Sequence, residues 1–163
     1  MDFAKSLENG PHSTINRLVG HWAGIARLWF EPGPPHSEGP VKGKIEAVHS
    51  GRFAGHEYST SIDGNYHQGN VLIGCDLADL QWQIAWTDTF HTGTEIMFSQ
   101  GSAEDVSRIV ALGSYLDENR QRWGWRTEIN PGDDRLLIRH FNISPYPEDP
   151  ELLAVEFEYM RTL

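Results

Sequence analysis

Two segments of the sequence place aromatic and polar side chains at alternate positions, where an extended strand turns them all to one face. In the first segment, Trp82, Trp86 and Asp88 share a face. If that face is buried, we expect Asp88 at the deep end of an aromatic wall. Its carboxylate must then accept hydrogen bonds or pair with a base, because an unpartnered charge is too costly to bury. The alternative is that Asp88, with Thr87 and Thr89, caps the turn into the next strand.

The second segment holds Trp123, Trp125 and Thr127 on one face. Indole rings at alternate positions form either the wall of a pocket for an apolar or planar ligand or an ordinary packed core. Tyr159 has the inward parity of the last predicted strand, so we add it to the candidate lining residues.

The eight histidines include no pair with the spacing of a common metal site. Two imidazoles at i and i+4 on a helix, or in a His-x-His pattern on a strand, would share a face, and neither pattern occurs. We therefore predict no metal site. His140 is the most informative histidine, because it shares its parity with Leu136, Ile138 and Asn142 and would face a cavity opposite Asp88.

Glu57 is the second candidate carboxylate. With Asp88 it would form the minimum pair for acid and base catalysis if both side chains face inward. The parity of its strand groups Glu57 with Phe53, Gly55 and Ser59, which suits either a lumen or a solvated face. No serine elbow, Cys/His pair or phosphate-binding glycine loop accompanies these carboxylates.

The composition disfavours two classes of partner. The 163 residues carry a formal net charge of -10, and no run of Lys or Arg interrupts this negative field. Such a chain repels the phosphates of nucleic acids and of anionic membranes. Neither a membrane-spanning apolar stretch nor a secretory signal is present in the sequence, so we expect a cytoplasmic protein. Cys75 is the only cysteine, which excludes an intramolecular disulfide.

The candidate side chains need strands to position them, and the sequence predicts ten. After Gly20, apolar and polar residues alternate with period two, and Gly, Asn, Asp or Pro interrupts the alternation about every ten residues. The predicted strands cover residues 21–30, 41–50, 52–62, 66–75, 81–88, 94–100, 108–116, 122–129, 135–143 and 152–162.

The N-terminal residues have a different character. An N-cap at Ser13 or Thr14, apolar residues at helical spacing and a stop at Gly20 predict one short helix over residues 11–19. Residues 1–10 are polar and weakly patterned, and we expect a loose tail there.

The predicted fold class is all-β: a closed antiparallel up-and-down β-barrel of about ten strands, forming a single domain over residues 1–163. Short turns join nearly all the strands, and a meander of this length leaves two unpaired edges unless it closes. A two-sheet sandwich has the same alternation and is the alternative. The Pro- and Gly-rich segment 31–40 is expected at one mouth of the barrel.

Closure makes the first and last strands neighbours. Glu156 and Glu158 should face water, which turns Tyr159 and Arg161 inward on the last strand, while Trp22 has the inward parity of the first. We therefore expect the Arg161 guanidinium to stack on the Trp22 indole and to close the barrel, a cation–π contact of about 1–2 kcal/mol.

This pairing resembles the signature of the calycin superfamily, in which a Gly-x-Trp on the first strand meets an arginine from the last. Further phrases, in order along nearly the whole chain, are similar to a bacterial calycin-like family known as domain of unknown function 1579, and its architecture resembles that of lipocalin, nitrobindin-type and fatty-acid-binding barrels. The phrases are Leu18-Val19-Gly20-His21-Trp22-Ala23-Gly24, Gly51-Arg52-Phe53 before Glu57-Tyr58, Gly69 before Gly74-Cys75-Asp76, Trp86-Thr87-Asp88-Thr89, Ser99-Gln100-Gly101 and Tyr159-Met160-Arg161.

The resemblance implies a barrel with an interior cavity, but it implies no reaction, because the family has no established activity. Nitrobindin-like barrels hold haem through one histidine, which would make His140 the haem ligand here. We predict no cofactor and keep haem at His140 as the alternative.

Three hypotheses for function follow. The first is a barrel that binds a small apolar or aromatic ligand in a cavity lined by tryptophan. The second is a small enzyme that uses Glu57, Asp88 and His140 as acid and base groups in the lumen. The third is a structural or assembly module with a packed interior, and a homodimer is a possible partner arrangement. The candidate ligand-binding residues are Trp86, Asp88, Trp125, His140, Tyr159 and Glu57.

Overall fold

The computed structural model describes residues 1–163, and ten antiparallel strands dominate it. A strand lies at each of the ten predicted positions. The strands are β1 Gly20–Leu28, β2 Ser37–Val48, β3 Phe53–Ile62, β4 Asn65–Asp76, β5 Gln81–Asp88, β6 Met97–Ser102, β7 Ile109–Leu116, β8 Arg122–Pro131, β9 Arg135–Ile143 and β10 Leu152–Thr162, and they follow two helices, α1 Phe3–Asn9 and α2 Pro11–Leu18.

The sheet closes on itself, as the meander pattern predicts. Every strand pairs antiparallel with its neighbours in sequence, and β1 also pairs with β10, so the protein is a closed ten-stranded up-and-down barrel. In the closing register Trp22 lies opposite Arg161, and Gly24 lies opposite Tyr159. Closure leaves no unpaired sheet edge.

Trp22 and Arg161 meet at the seam between β1 and β10. The Arg161 guanidinium carbon lies 4.2 Å from the centroid of the Trp22 ring, which confirms the predicted stack. Arg161 also donates hydrogen bonds to the carbonyls of Val19 at 2.8 Å and Asp133 at 3.0 Å, and the Trp22 indole N–H donates to the Leu18 carbonyl at 2.8 Å. The pair therefore ties the two terminal strands to the end of α2.

The first ten residues contain α1, so the prediction of a loose tail there was wrong. Asp2 caps this helix by accepting a hydrogen bond from the Lys5 backbone N–H at 2.9 Å. The Phe3 ring packs edge-on against His12, and the Arg52 guanidinium carbon lies 4.4 Å from the centroid of the Phe3 ring. These tertiary contacts stabilise the helix. A segment this short shows no hydrophobic periodicity from which the helix could be predicted.

The second helix, α2, begins earlier than its predicted cap. Pro11 occupies the first helical position, for which its fixed φ and missing N–H suit it, and Gly10 precedes it as the cap. Ser13 and Thr14 lie inside the helix, and the Thr14 hydroxyl donates to the Val106 carbonyl. No helix in the structure combines the length and the apolar character needed to cross a membrane.

The two ends of the barrel differ. At the end where β1 begins, α2 packs against the barrel and buries Ile15 and Leu18 completely, above the buried side chains of Trp22, Trp82 and Leu136. We call this the closed end. At the opposite end, the loop between β1 and β2 and the loop between β5 and β6 surround the opening, which we call the mouth. The Pro- and Gly-rich segment lies at this mouth, as expected.

The seam yields a stability prediction. Trp22→Ala removes a ring that is 2% exposed, together with its stack on Arg161, so we expect a loss of about 3–5 kcal/mol in the free energy of unfolding. Urea denaturation measures the loss. The matched control is Phe98→Ala, which removes a ring that is 54% exposed and should change stability by no more than about 0.5 kcal/mol. Equal stabilities for the two variants would contradict the role of Trp22.

Candidate functional site

The mouth of the barrel contains an apolar cavity with a volume of about 250 Å³. We call this cavity the mouth pocket. Hydrophobic side chains make up most of its lining, and the polar ones are few, which is typical of a small-molecule site. Its lining residues are Leu28, Trp29, Phe30, Trp86, His91, Met97, Tyr115, Trp125, Asn142, Leu152 and Ala154.

Local irregularities shape this pocket. The loop after β1 is held by a hydrogen bond from the Trp29 indole N–H to the Gly33 carbonyl at 3.0 Å, which keeps Trp29 and the next residue, Phe30, at the rim. On the neighbouring strand β10, the pairing with β9 shifts between Leu153 and Val155. Such a bulge breaks the alternation of a strand and re-aims one side chain. As a result Ala154 joins the pocket lining.

Three predicted residues pack together below the mouth: Trp86 and Trp125 form the floor of the mouth pocket, and His140 lies just beneath it. The rings of Trp86 and His140 are stacked with centroids 5.0 Å apart and an interplanar angle of 7°. Trp125 stacks on both rings, at 5.6 Å from Trp86 and 5.5 Å from His140. The side chains come from β5, β8 and β9, so closure of the barrel brings together residues that are far apart in sequence.

His140 is fixed in its neutral form. Its Nδ1 accepts a hydrogen bond from the Trp125 indole N–H at 3.2 Å and lies 3.0 Å from the Thr127 hydroxyl. An indole can only donate, so the proton of neutral His140 belongs on Nε2. Burial, together with the nearby His91, lowers the pKa of His140 to about 3.

The surroundings of His140 do not fit haem. Its ring packs against the indoles of Trp86 and Trp125, and the two voids that it borders below the mouth pocket have volumes of only about 20 Å³ each. A void of that size holds about one water molecule, far less than a porphyrin. No three His, Cys, Asp or Glu side chains converge in a metal-binding cluster.

Asp88 lies at the mouth end of β5, not at the deep end of the aromatic wall where we expected it. Its Oδ1 accepts hydrogen bonds from the backbone N–H groups of His91 and Thr92, both at 2.7 Å. Asp88 therefore caps the turn after β5, as the alternative proposed, although its partners in the turn are His91 and Thr92 and neither Thr87 nor Thr89. Its Oδ2 lies 2.9 Å from Nδ1 of His91.

Asp88 is ionised in this environment. Burial is the largest single influence and raises its pKa, but the hydrogen bond from the His91 imidazole and those from the two backbone N–H groups together hold the pKa below its ordinary value. The carboxylate can therefore only accept hydrogen bonds, which fixes the orientation of the imidazole that it contacts.

His91 is the functional candidate that the sequence analysis missed. It lies in the loop between β5 and β6, and its ring packs 5.4 Å from Trp86 and 5.6 Å from Trp125. Its Nε2 is buried and has no hydrogen-bond partner. The Asp-x-x-His spacing at a strand end was the available signal, because an aspartate that caps a turn draws the residue three positions later towards it.

Tyr159 belongs to a second polar group, deeper in the barrel. Its hydroxyl lies 3.1 Å from Nε2 of His56, and its ring packs against Trp22 at the closed end. A Cβ at Gly43 would lie 2.6 Å from the Tyr159 hydroxyl, so only glycine leaves room for this contact. Tyr159 is completely buried and does not line the mouth pocket, contrary to the prediction.

Glu57 lies on the outer face of the barrel, so the solvated face is the correct one of its two alternatives and Glu57 is not a ligand-binding residue of the lumen. The inward residues of β3 are its neighbours His56 and Tyr58, which are both buried, whereas Glu57 is exposed. The charge is the physical reason, since an unpaired carboxylate in the lumen would lose its hydration. Glu57 and Asp88 therefore cannot act as a pair.

A closed antiparallel barrel with an apolar mouth pocket above stacked indole and imidazole rings is the class of protein that this fold and site define. Residues 8–161 match a family described as protein of unknown function (DUF1579), and the chain belongs to that family. No curated protein gives a significant match to the chain.

The buried histidines predict how stability depends on pH. The folded pKa of His56 and of His140 is about 3, because burial disfavours the charged form, whereas an unfolded histidine has a pKa near 6.5. The unfolded chain therefore binds more protons below pH 6.5, and stability that is complete above that pH is lost as the pH falls towards 3. We expect a loss of about 2 kcal/mol per histidine between pH 7 and pH 5.

Urea denaturation at several pH values tests this expectation. His56→Gln and His140→Gln should each reduce the loss of unfolding free energy between pH 7 and pH 5 by about 2 kcal/mol relative to the parent protein. This difference is expected whatever the stability of each variant at pH 7. His21→Gln, which replaces an exposed histidine on β1, is the control and should keep the parental pH dependence. A parental slope in His140→Gln would mean that His140 is charged in the folded protein.

Proposed function

We propose that this protein binds a small, uncharged aromatic molecule in the mouth pocket, with the ligand ring packed against Trp86 and Trp125. The observation that carries the proposal is the cavity of about 250 Å³, whose lining is mostly apolar and whose floor consists of two indole rings. Indole faces provide a large apolar contact area for a planar ligand.

The size of the pocket limits the ligand. Pockets for drug-sized molecules usually span about 300–1,000 Å³, so a cavity of about 250 Å³ suits a single-ring or small two-ring compound. Two of its polar lining groups already satisfy each other, since the Tyr115 hydroxyl donates to Oδ1 of Asn142 at 2.7 Å. A mostly apolar ligand with one polar group matches this lining.

The other hypotheses have less support. An enzyme that uses Glu57, Asp88 and His140 would need all three side chains in the lumen and open to substrate. Glu57 lies outside, and the ring of His140 packs against two indoles and does not line the mouth pocket. A module with a fully packed interior suits the voids of about 20 Å³ deeper in the barrel but leaves the mouth pocket unexplained.

We also infer that the barrel is related to the calycin superfamily. The stack of Arg161 on Trp22, which follows Gly20 and His21 on the first strand, supports this relationship. Ligand pockets of β-barrels often lie in the mouth of the barrel, which agrees with a ligand in the mouth pocket.

A variant that fills the mouth pocket tests the proposal. Ala154 is 5% exposed and lines the pocket, so Ala154→Phe places a ring where the ligand ring would lie. We expect at least about a tenfold loss of affinity for 4-methylanisole, measured by isothermal titration calorimetry and saturation-transfer NMR, because displaced contacts of about 1.4 kcal/mol suffice for a factor of ten.

The matched control is Ala85→Phe, which makes the same substitution on the outer face of β5 and should keep the parental affinity. If the parent protein binds no small aromatic probe, or if Ala154→Phe binds 4-methylanisole as tightly as the parent, the mouth pocket is not the binding site.

A further inference from the structure

One buried atom in the lining of the mouth pocket lacks the partner that its chemistry requires. Nε2 of His91 is buried and makes no hydrogen bond, although buried polar atoms are nearly always paired. The His91 side chain lines both the mouth pocket and the small void beneath it. The other buried atom without a partner, Nε1 of Trp82, lies at the closed end and borders neither.

Asp88 determines what Nε2 of His91 can do. Oδ1 of Asp88 is occupied by the backbone N–H groups of His91 and Thr92, and Oδ2 lies 2.9 Å from Nδ1 of His91. Because a carboxylate only accepts, Nδ1 must carry a proton, and Nε2 of the neutral ring is then a bare acceptor. The site therefore calls for a hydrogen-bond donor on the ligand.

We propose that the ligand of the mouth pocket is an aromatic molecule with a neutral hydroxyl group, such as a phenol, and that this hydroxyl donates a hydrogen bond to Nε2 of His91. The inference rests on the proposed function and adds the chemical class of the ligand. The rings of Trp86 and Trp125 lie 5.4 and 5.6 Å from the His91 ring, so one molecule can contact the indole faces and the imidazole together.

The surrounding charge favours a neutral hydroxyl over a carboxylate. The ionised Asp88 lies directly behind the imidazole, and the chain carries a formal net charge of -10. A negatively charged ligand would face repulsion from both, and it would present only acceptors to an atom that itself accepts. A neutral hydroxyl supplies the missing donor without adding charge.

A set of matched probes tests the inference: 4-methylphenol donates a hydrogen bond, 4-methylanisole replaces the hydroxyl with a methyl ether, and acetophenone offers only a carbonyl acceptor. For the parent protein we expect 4-methylphenol to bind about tenfold more tightly than 4-methylanisole, as one hydrogen bond to a buried partner provides. Isothermal titration calorimetry measures the three affinities.

Two variants identify the atom responsible. His91→Phe keeps a ring and the backbone N–H that Asp88 binds but removes Nε2. The protein should then bind 4-methylphenol and 4-methylanisole with affinities within about twofold of each other.

Asp88→Asn should change the preference of the pocket from a ligand that donates a hydrogen bond to one that accepts it. Its carbonyl oxygen must still accept from the two backbone N–H groups, so its amide donates to Nδ1 of His91 and moves the ring proton to Nε2. Acetophenone should then bind more tightly than 4-methylphenol.

The outcomes separate this inference from the proposed function. If the parent protein binds 4-methylphenol and 4-methylanisole equally well, the pocket stands and the role of His91 is wrong. The same conclusion follows if His91→Phe retains the parental preference for the phenol, which is decisive even if Asp88→Asn fails to fold. If no probe binds the parent protein, the proposed function fails and this inference fails with it.

Discussion

The pairing of β1 with β10 is the constraint on which the rest of the structure depends. Side chains alternate between the two faces of a strand, so a register that is fixed at the seam fixes which residues of every other strand face the lumen. Trp22 and Arg161 hold that register from the inside, because the guanidinium stacks on the indole and also binds the Val19 and Asp133 carbonyls. The stacked floor of the mouth pocket is a consequence of this closure, since its rings come from strands on different sides of the barrel.

The outer face of the same seam carries a network of ion pairs. Arg27 on β1 contacts Glu38 on β2 at 2.8 Å and both Glu156 and Glu158 on β10 at 2.8 and 2.9 Å, and Arg139 on β9 also contacts Glu156 at 2.8 Å. Isolated surface pairs contribute little, but this network spans four neighbouring strands and gives Arg27 three partners and Glu156 two. Glu156 consequently is only 8% exposed although it points outward, so the seam is held on both of its faces.

Alternation predicted the strands and the closure of the barrel, but it did not settle which face of each strand lies inside. In β1 the inward set is plainly apolar, and the assignment of Trp22 was confirmed. In β3 both faces mix aromatic and polar residues: His56 and Tyr58 face the lumen, whereas Phe53 and Glu57 have the opposite parity. The charge of Glu57 was the better guide there. Helix α1 was missed because contacts with residues distant in sequence stabilise it.

The parity of a residue in a strand predicts whether its side chain faces the lumen, but it does not predict how far the residue lies from the mouth. For this reason the sequence predicted only part of the site. Trp86, Trp125 and His140 were found because strand alternation aims them into the lumen, yet parity alone could not place Asp88 at the mouth and Tyr159 near the closed end. His91 was beyond this reasoning altogether, since a loop has no parity. Its position comes from Asp88, whose carboxylate binds both its backbone N–H and its imidazole.

The deeper polar side chains show why that single loop residue matters. The Trp86 indole N–H donates to the Tyr58 hydroxyl at 2.9 Å, His56 pairs with Tyr159, and Nδ1 of His140 accepts from Trp125. Satisfied networks of this kind rigidify an interior and leave it little capacity for new polar partners. The floor of the pocket is therefore a preorganised apolar surface, and the chemical selectivity of the mouth depends on the one imidazole nitrogen that the fold buries without a partner.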